Sequence, residues 1–235
     1  MYENQSMKRT LALFLPAVSL LACLGCAPKR TAAPGSVAVP AASSGAFATR
    51  GKVVYIEGDV RIDGSAAAIG QELGAKALVE TGPDASCDIV FDEKNAIRVS
   101  ENAVASLDFS GIVKEVSLKK GGLSSVLRKL AAATATDSFR VETAVATAGV
   151  RGTCFFVWVD DASTYVCACN GRVRTIDSKG SNELVISAVH HSARNYVKEG
   201  SAIRVSTAAL EHHGDASMES LAARIGERID WTKED

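Results

Sequence analysis

Val141-Glu-Thr-Ala-Val-Ala-Thr-Ala-Gly149-Val150-Arg151-Gly152-Thr153-Cys154-Phe155-Phe156-Val157-Trp158-Val159 is the stretch on which the fold turns. A run of small residues ends in two glycines that bracket Val150-Arg151. A strand follows, in which Phe155, Val157 and Val159 alternate with Cys154, Phe156 and Trp158. Gly149 and Gly152 permit backbone angles that a side chain would penalise. Apolar residues at both parities predict a strand buried on both faces. The plain reading is a tight corner leading into a central strand. The alternative makes Arg151 a fixed guanidinium that holds a partner or a neighbouring loop. On that reading Gly149, Val150, Arg151, Gly152, Thr153 and Phe155 form a partner-binding motif.

Outward from this stretch the chain continues in short β-like runs. Lys52 to Ile56 is rich in β-branched and aromatic residues, Glu57-Gly58-Asp59 turns the chain, and Val60 and Ile62 alternate with polar neighbours. Ala85, Cys87, Ile89 and Phe91 form a period-two series. The polar turn Asp92 to Asn95 leads to Ile97 and Val99, which predicts a β-hairpin. Further strands are expected at Val104–Phe109, Ile112–Leu118, Ser138–Thr143, Thr153–Val159, Tyr165–Ala168, Val173–Ile176, Glu183–Ala188, Asn195–Val197 and Ile203–Val205. Gly58-Asp-Val-Arg61 is echoed by Gly171-Arg-Val-Arg174, and Ala96-Ile-Arg-Val-Ser100 by Ala202-Ile-Arg-Val-Ser206. The echoes suggest two similar halves, against coincidence in a strand-rich chain. Helix is scarce. Ser125 to Ala132 is one short candidate. Met218, Leu221, Ala222, Ile225 and Ile229 follow helical spacing and predict an amphipathic helix from about Ala216 to Ile229.

The N-terminus has a different character. Met7-Lys8-Arg9 precedes an apolar run, Leu11 to Leu21, too short to span a bilayer as a helix. A basic start, a short apolar run and small residues afterwards fit a signal peptide. Leu20-Leu21-Ala22-Cys23 resembles the lipobox of bacterial lipoproteins, with Cys23 the expected acylation site and Cys26 the alternative. Residues 27–50, rich in Ala, Pro, Ser and Gly, read as a tether. The expected organisation is 1–26 signal and lipobox, 27–50 tether, 51–206 β-domain and 207–235 C-terminal helix and tail. The net charge of -1 gives no basic field for nucleic acid.

The β-domain resembles the FecR family. The resemblance rests on Thr143 followed by small residues, then Val150-Arg-Gly-Thr153, one variable residue and Phe155. Gly58-Asp-Val60, Thr81-Gly82 and Asn170-Gly171-Arg-Val173 match its glycine turns. It implies an extracytoplasmic, non-catalytic all-β module: a short β-solenoid or a flattened β-roll or sandwich, here followed by one C-terminal amphipathic helix. Transmembrane members relay a receptor signal to a sigma factor. They carry a sigma-binding region and a spanning helix ahead of the domain, and this sequence shows neither, so direct anti-sigma action is not expected.

Cys87, Cys154, Cys167 and Cys169 remain after the export segment. If Thr153–Val159 and Tyr165–Cys169 form a hairpin, Cys154 and Cys169 face each other and are the expected disulfide; the alternative is four small buried hydrophobes. A thiol-disulfide pair at Cys167 and Cys169 is the remote alternative, since no flanking base marks either thiol. His190-His191 and His212-His213 are adjacent pairs whose side chains diverge on strand or helix, so surface histidines are expected and no metal site. No phosphate loop or nucleophile elbow is present, and neither a catalytic residue nor a cofactor is expected. The sequence therefore predicts a non-enzymatic envelope lipoprotein on the periplasmic face of the outer membrane. Its expected partner is another envelope protein or a cell-wall component, with a structural scaffold as the alternative.

Overall fold

A computed structural model describes residues 50–128, 138–150 and 152–234. The expected export segment, with Cys23 and Cys26, the tether up to residue 49, and Arg151 lie outside the described residues. The chain runs through β1 (Gly51–Glu57), β2 (Val60–Ile62), β3 (Ser65–Ala66), β4 (Lys76–Thr81) and β5 (Ser86–Phe91). It continues with β6 (Asn95–Val99), β7 (Val104–Asp108), β8 (Lys114–Leu127), β9 (Phe139–Glu142) and β10 (Ala146–Val150). Then come β11 (Cys154–Val159), β12 (Ser163–Asp177), β13 (Leu184–Ala188), β14 (Ser192–Glu199), β15 (Ala202–Ala208) and the helix α1 (Asp215–Ala223).

The strands form two sheets. A front sheet runs β1-β5-β6-β8-β11-β12-β14-β15. A back sheet runs β3-β2-β4-β7-β8-β9-β10-β12-β13. Every pairing is antiparallel except β8 with β9. A solenoid stacks its strands in parallel, so the all-β expectation holds in its flattened-sandwich form.

The long strands β8 and β12 belong to both sheets, and each bends where a glycine takes a positive φ. In β8 this is Gly121, at φ 77°, and in β12 it is Gly171, at φ 108°. A Cβ at Gly121 would lie 2.6 Å from the Ala103 backbone, and one at Gly171 would lie 2.8 Å from Thr153 Oγ1. Such bends let a strand leave one sheet and enter the other. They also explain two differences from the sequence reading. Tyr165–Ala168 and Val173–Ile176 are one strand, interrupted in pattern because its buried face changes at Gly171. Ser125–Leu127, read as the start of a helix, ends β8, because its residues pair with β6 and β11. Of that helix candidate, 129–132 lie outside the described residues.

Between the sheets, period-two alternation packs Ile97, Leu123, Phe155, Val157 and Val166 from the front against Val79, Val116, Val141 and Phe139 from the back. Phe139 bridges the layers, 5.9 Å from Phe91 and 6.1 Å from Phe155 between ring centroids. The predicted hairpin is β5–β6, with Asp92 and Glu93 both in the left-handed region. One echo is structural: Gly58 and Gly171 both carry the chain from the front sheet to the back. The other is not, because Ala96–Val99 lies in an interior strand and Ala202–Val205 in the last strand of the front sheet.

A second layer of packing covers the outer face of the front sheet. Met218, Leu221 and Ala222 of α1 are buried there against Ala96, Val126, Cys154, Phe156 and Tyr165, with Ile225, Ile229 and Trp231 beside them. The helix is shorter than predicted. Gly226, at φ 70°, reverses the chain, and the amides of Gly226 and Glu227 satisfy the carbonyls of Ala223 and Ala222. Ile225 and Ile229 therefore pack from a tail rather than from the helix. Asp88, with no exposed side-chain surface, clamps α1 to the sheet. It accepts from Arg98 at 2.6 and 2.8 Å and from Arg224 at 3.0 Å. Arg98 also donates to Ser217 and Ser220 on the helix, and Arg224 stacks 4.2 Å above the Tyr55 ring.

Candidate functional site

The predicted motif sits where β10 leaves the back sheet and β11 enters the front one. Gly149, Val150, Gly152, Thr153 and Phe155 are all buried there. Thr153 is a staple. Its backbone exchanges hydrogen bonds with Leu127 at 3.0 and 3.2 Å. Its hydroxyl accepts from the Arg172 amide at 3.2 Å, beside the bend at Gly171. Thr143 closes the preceding turn, accepting from the Ala146 amide at 2.9 Å and meeting the Thr164 hydroxyl at 2.7 Å. Thr81 does the same elsewhere, accepting from the Ala103 amide at 2.9 Å. This corrects the partner-binding reading for Gly149, Val150, Gly152, Thr153 and Phe155. They are enclosed by neighbouring strands and hold the sheet corner together.

The cysteines also differ from expectation. All four described thiols are free and buried. Cys154 pairs with Asn170, and the register shifts before Phe155 meets Ala168, which leaves Cys169 in a bulge rather than opposite Cys154. The two thiols are neighbours on the outer face, but both are free and the expected Cys154–Cys169 disulfide is not formed. Cys87 faces the inner core, and burial, helped by Asp88, pushes its thiol up to about 12.

Cys154, Cys167 and Cys169 instead point to the outer face, where the histidines meet them. The β13–β14 turn crosses from back sheet to front beside Gly171. His191, at φ 46°, ends that turn, and its amide donates to the Cys169 carbonyl at 2.9 Å. Its Nδ1 lies 3.6 Å from Cys167 Sγ. The segment after β15 crosses the same face. Trp158 stacks on His212 at 4.4 Å and Phe156 on His213 at 4.2 Å, while the Tyr165 hydroxyl donates to Ala209 O at 3.1 Å. His213 Nε2 is thereby placed 3.3 Å from Cys169 Sγ. The ligand atoms of Cys167, Cys169, His191 and His213 all lie within 4.8 Å of one another.

The outer nitrogens are tied down. His191 Nε2 donates to Asp215 Oδ1 at 2.7 Å, and His190 Nε2 reaches the same carboxylate at 3.0 Å. His213 Nδ1 donates to the Glu211 carbonyl at 2.9 Å. The thiol of Cys169, then the two imidazoles, hold Cys167 well below the usual thiol range against its burial. Burial, reinforced by Cys154 and Cys167, pushes Cys169 well above it. Burial lowers the His191 pKa, but Cys167 and Asp215 outweigh it and the net direction is up. The expectation of four surface histidines is corrected for His191 and His213. They come from two segments remote in sequence, which adjacency along the chain did not reveal.

The FecR protein family matches residues 77–174, the stretch that holds the Thr143–Phe155 motif and the turns at Thr81-Gly82 and Asn170–Val173. The match takes in β8, β12 as far as Arg174, and the corner motif between them. FecR proteins are envelope-associated and act in signalling. No curated protein matches the chain. Two solved structures resemble it, both described as a "putative anti-sigma factor" from Parabacteroides distasonis. One has a TM-score of 0.46 at 12% identity, covering 56% of this chain and 60% of that one. The other has a TM-score of 0.45 at 12% identity, covering 55% and 59%. The similarity thus spans about 60% of the length of those chains. Among the described residues no helix is long and apolar enough to cross a membrane.

Proposed function

We propose that the protein is a non-enzymatic, lipid-tethered module of the cell envelope that binds another envelope component and relays a signal. The observation that carries this reading is the FecR match over residues 77–174, together with the lipobox-like run ahead of it. Burial of the described motif residues leaves Arg151 as the motif position to test for recognition. Crosslinking in intact cells, followed by identification of the captured proteins, tests the proposal. One defined envelope protein captured by the wild type and lost in a folded Arg151→Ala variant is the expected result. Co-purification with peptidoglycan, unaffected by Arg151→Ala, would establish a wall scaffold instead. Labelling with a radioactive fatty acid, abolished by Cys23→Ala but retained in Cys26→Ala, is expected for the anchor.

A further inference from the structure

We infer that Cys167, Cys169, His191 and His213 form a four-coordinate site for a borderline or soft transition-metal ion, Zn2+ in the first place, which fastens the C-terminal segment onto the front sheet. The donor set is two thiolates and two imidazoles, the combination that tetrahedral Zn2+ accepts. Zn–S bonds of about 2.3 Å and Zn–N bonds of about 2.0 Å give a tetrahedral S···N edge of roughly 3.5 Å. The two measured edges are 3.6 Å for Cys167 Sγ to His191 Nδ1 and 3.3 Å for Cys169 Sγ to His213 Nε2. Cys167 and Cys169 are two apart on one strand, so their side chains share a face, and no pair in the set exceeds 4.8 Å.

The surroundings fit a metal better than they fit a nucleophile. Each imidazole already donates its outer N–H, His191 to the Asp215 carboxylate and His213 to the Glu211 carbonyl. A carbonyl can only accept, so neutral His213 carries its proton on Nδ1 and turns the Nε2 lone pair toward the sulfurs. A carboxylate behind His191 fixes the same arrangement there, as ligating histidines characteristically show. Cys167 has no exposed surface, which a nucleophile attacking an external substrate requires. A nucleophile also needs one base, whereas here a second thiol and a second imidazole complete the set. A cavity of about 280 Å3 beside the site is lined by Cys167 and His191 together with residues of β14 and β15. Two ligands belong to the strand β12, one to the β13–β14 turn and one to the segment leading into α1, so the ion would join three parts of the chain.

The test uses the full chain, purified and kept reduced, with Zn2+ and Co2+ as probes. One Zn2+ per chain is expected, with a rise in melting temperature. Co2+ should give the intense visible bands of a tetrahedral site and a thiolate charge-transfer band. Cys167→Ala and His213→Ala should each weaken Zn2+ binding at least 100-fold. Cys87→Ala, in the inner core, should leave binding unchanged. Asp215→Asn, which keeps the fold and both thiols, should weaken it about 10- to 100-fold, so the inference is tested even if a ligand variant fails to fold. Absence of binding to the reduced wild type, unchanged affinity in folded Cys167→Ala and His213→Ala, or a Cys167–Cys169 disulfide in protein taken from cells would each overturn it.

Discussion

On β11, Phe155, Val157 and Val159 point into the sandwich, while Cys154, Phe156 and Trp158 point away from it. The two faces are written in the same period-two pattern and are closed in different ways. The inner face is sealed by the back sheet, which shares β8 and β12 with the front, so its cover is built into the topology. The outer face is sealed by residues 209–234, joined to the sheet mainly through side chains: the Asp88 clamp, the Tyr165 hydroxyl, the stacked histidines and the Asn170 amide, which donates to the Asp230 and Lys233 carbonyls at 3.1 and 2.9 Å. Apolar filling dominates the first layer. Charge, aromatic stacking and sulfur chemistry dominate the second, where a polar network is useful only when fully partnered.

The largest expected effect breaks the inner layer at its corner. Gly171→Val puts a branched side chain at φ 108° against Thr153. Strain at such a backbone angle and overpacking each cost about 1–3 kcal/mol. Loss of the cooperative urea transition is expected, and a native transition would show that the corner tolerates a side chain. Next, Asp88→Ala attacks the outer layer alone. It leaves Arg98 and Arg224 facing each other without their carboxylate and should lower stability by about 3 kcal/mol. If the layers are closed independently, hydrogen exchange should quicken in α1 and remain slow in β11 and β12; uniform quickening would show one layer. Tyr165→Phe removes the hydroxyl that donates to Ala209 O and accepts from the Glu211 amide. About 1 kcal/mol is expected in urea unfolding, and a change within error would mean the stacked rings hold that segment unaided. The smallest effect should be Ser125→Ala. The Ser125 hydroxyl is buried without a hydrogen-bond partner, so removing it should change stability by less than about 0.5 kcal/mol or raise it slightly. A loss above 1 kcal/mol would mean that the hydroxyl has a partner in solution.

Much of the fold was legible along the chain. Residues at both parities of Cys154–Val159 are apolar because the strand is buried twice, and the β5–β6 hairpin follows from its alternation and polar turn. The sequence does not mark β4 and β10 as strands, because Ala77, Ala146 and Ala148 carry too little hydrophobic contrast. Helical spacing overstates the length of α1, because Ile225 and Ile229 keep that spacing while the chain reverses at Gly226 between them.

By itself the sequence determined an all-β domain, its glycine corners and its FecR character. These depend on local backbone preference and on period-two burial, which neighbouring residues carry. Only the tertiary structure decided that Cys154 falls in register with Asn170 while Cys169 sits in a bulge and both remain free thiols, since a one-residue bulge is invisible in composition yet changes the pairing. It alone brought His191 and His213 to Cys167 and Cys169. These residues lie on separate segments, and their meeting depends on where β12 bends and where the chain after β15 folds back, not on any spacing between them.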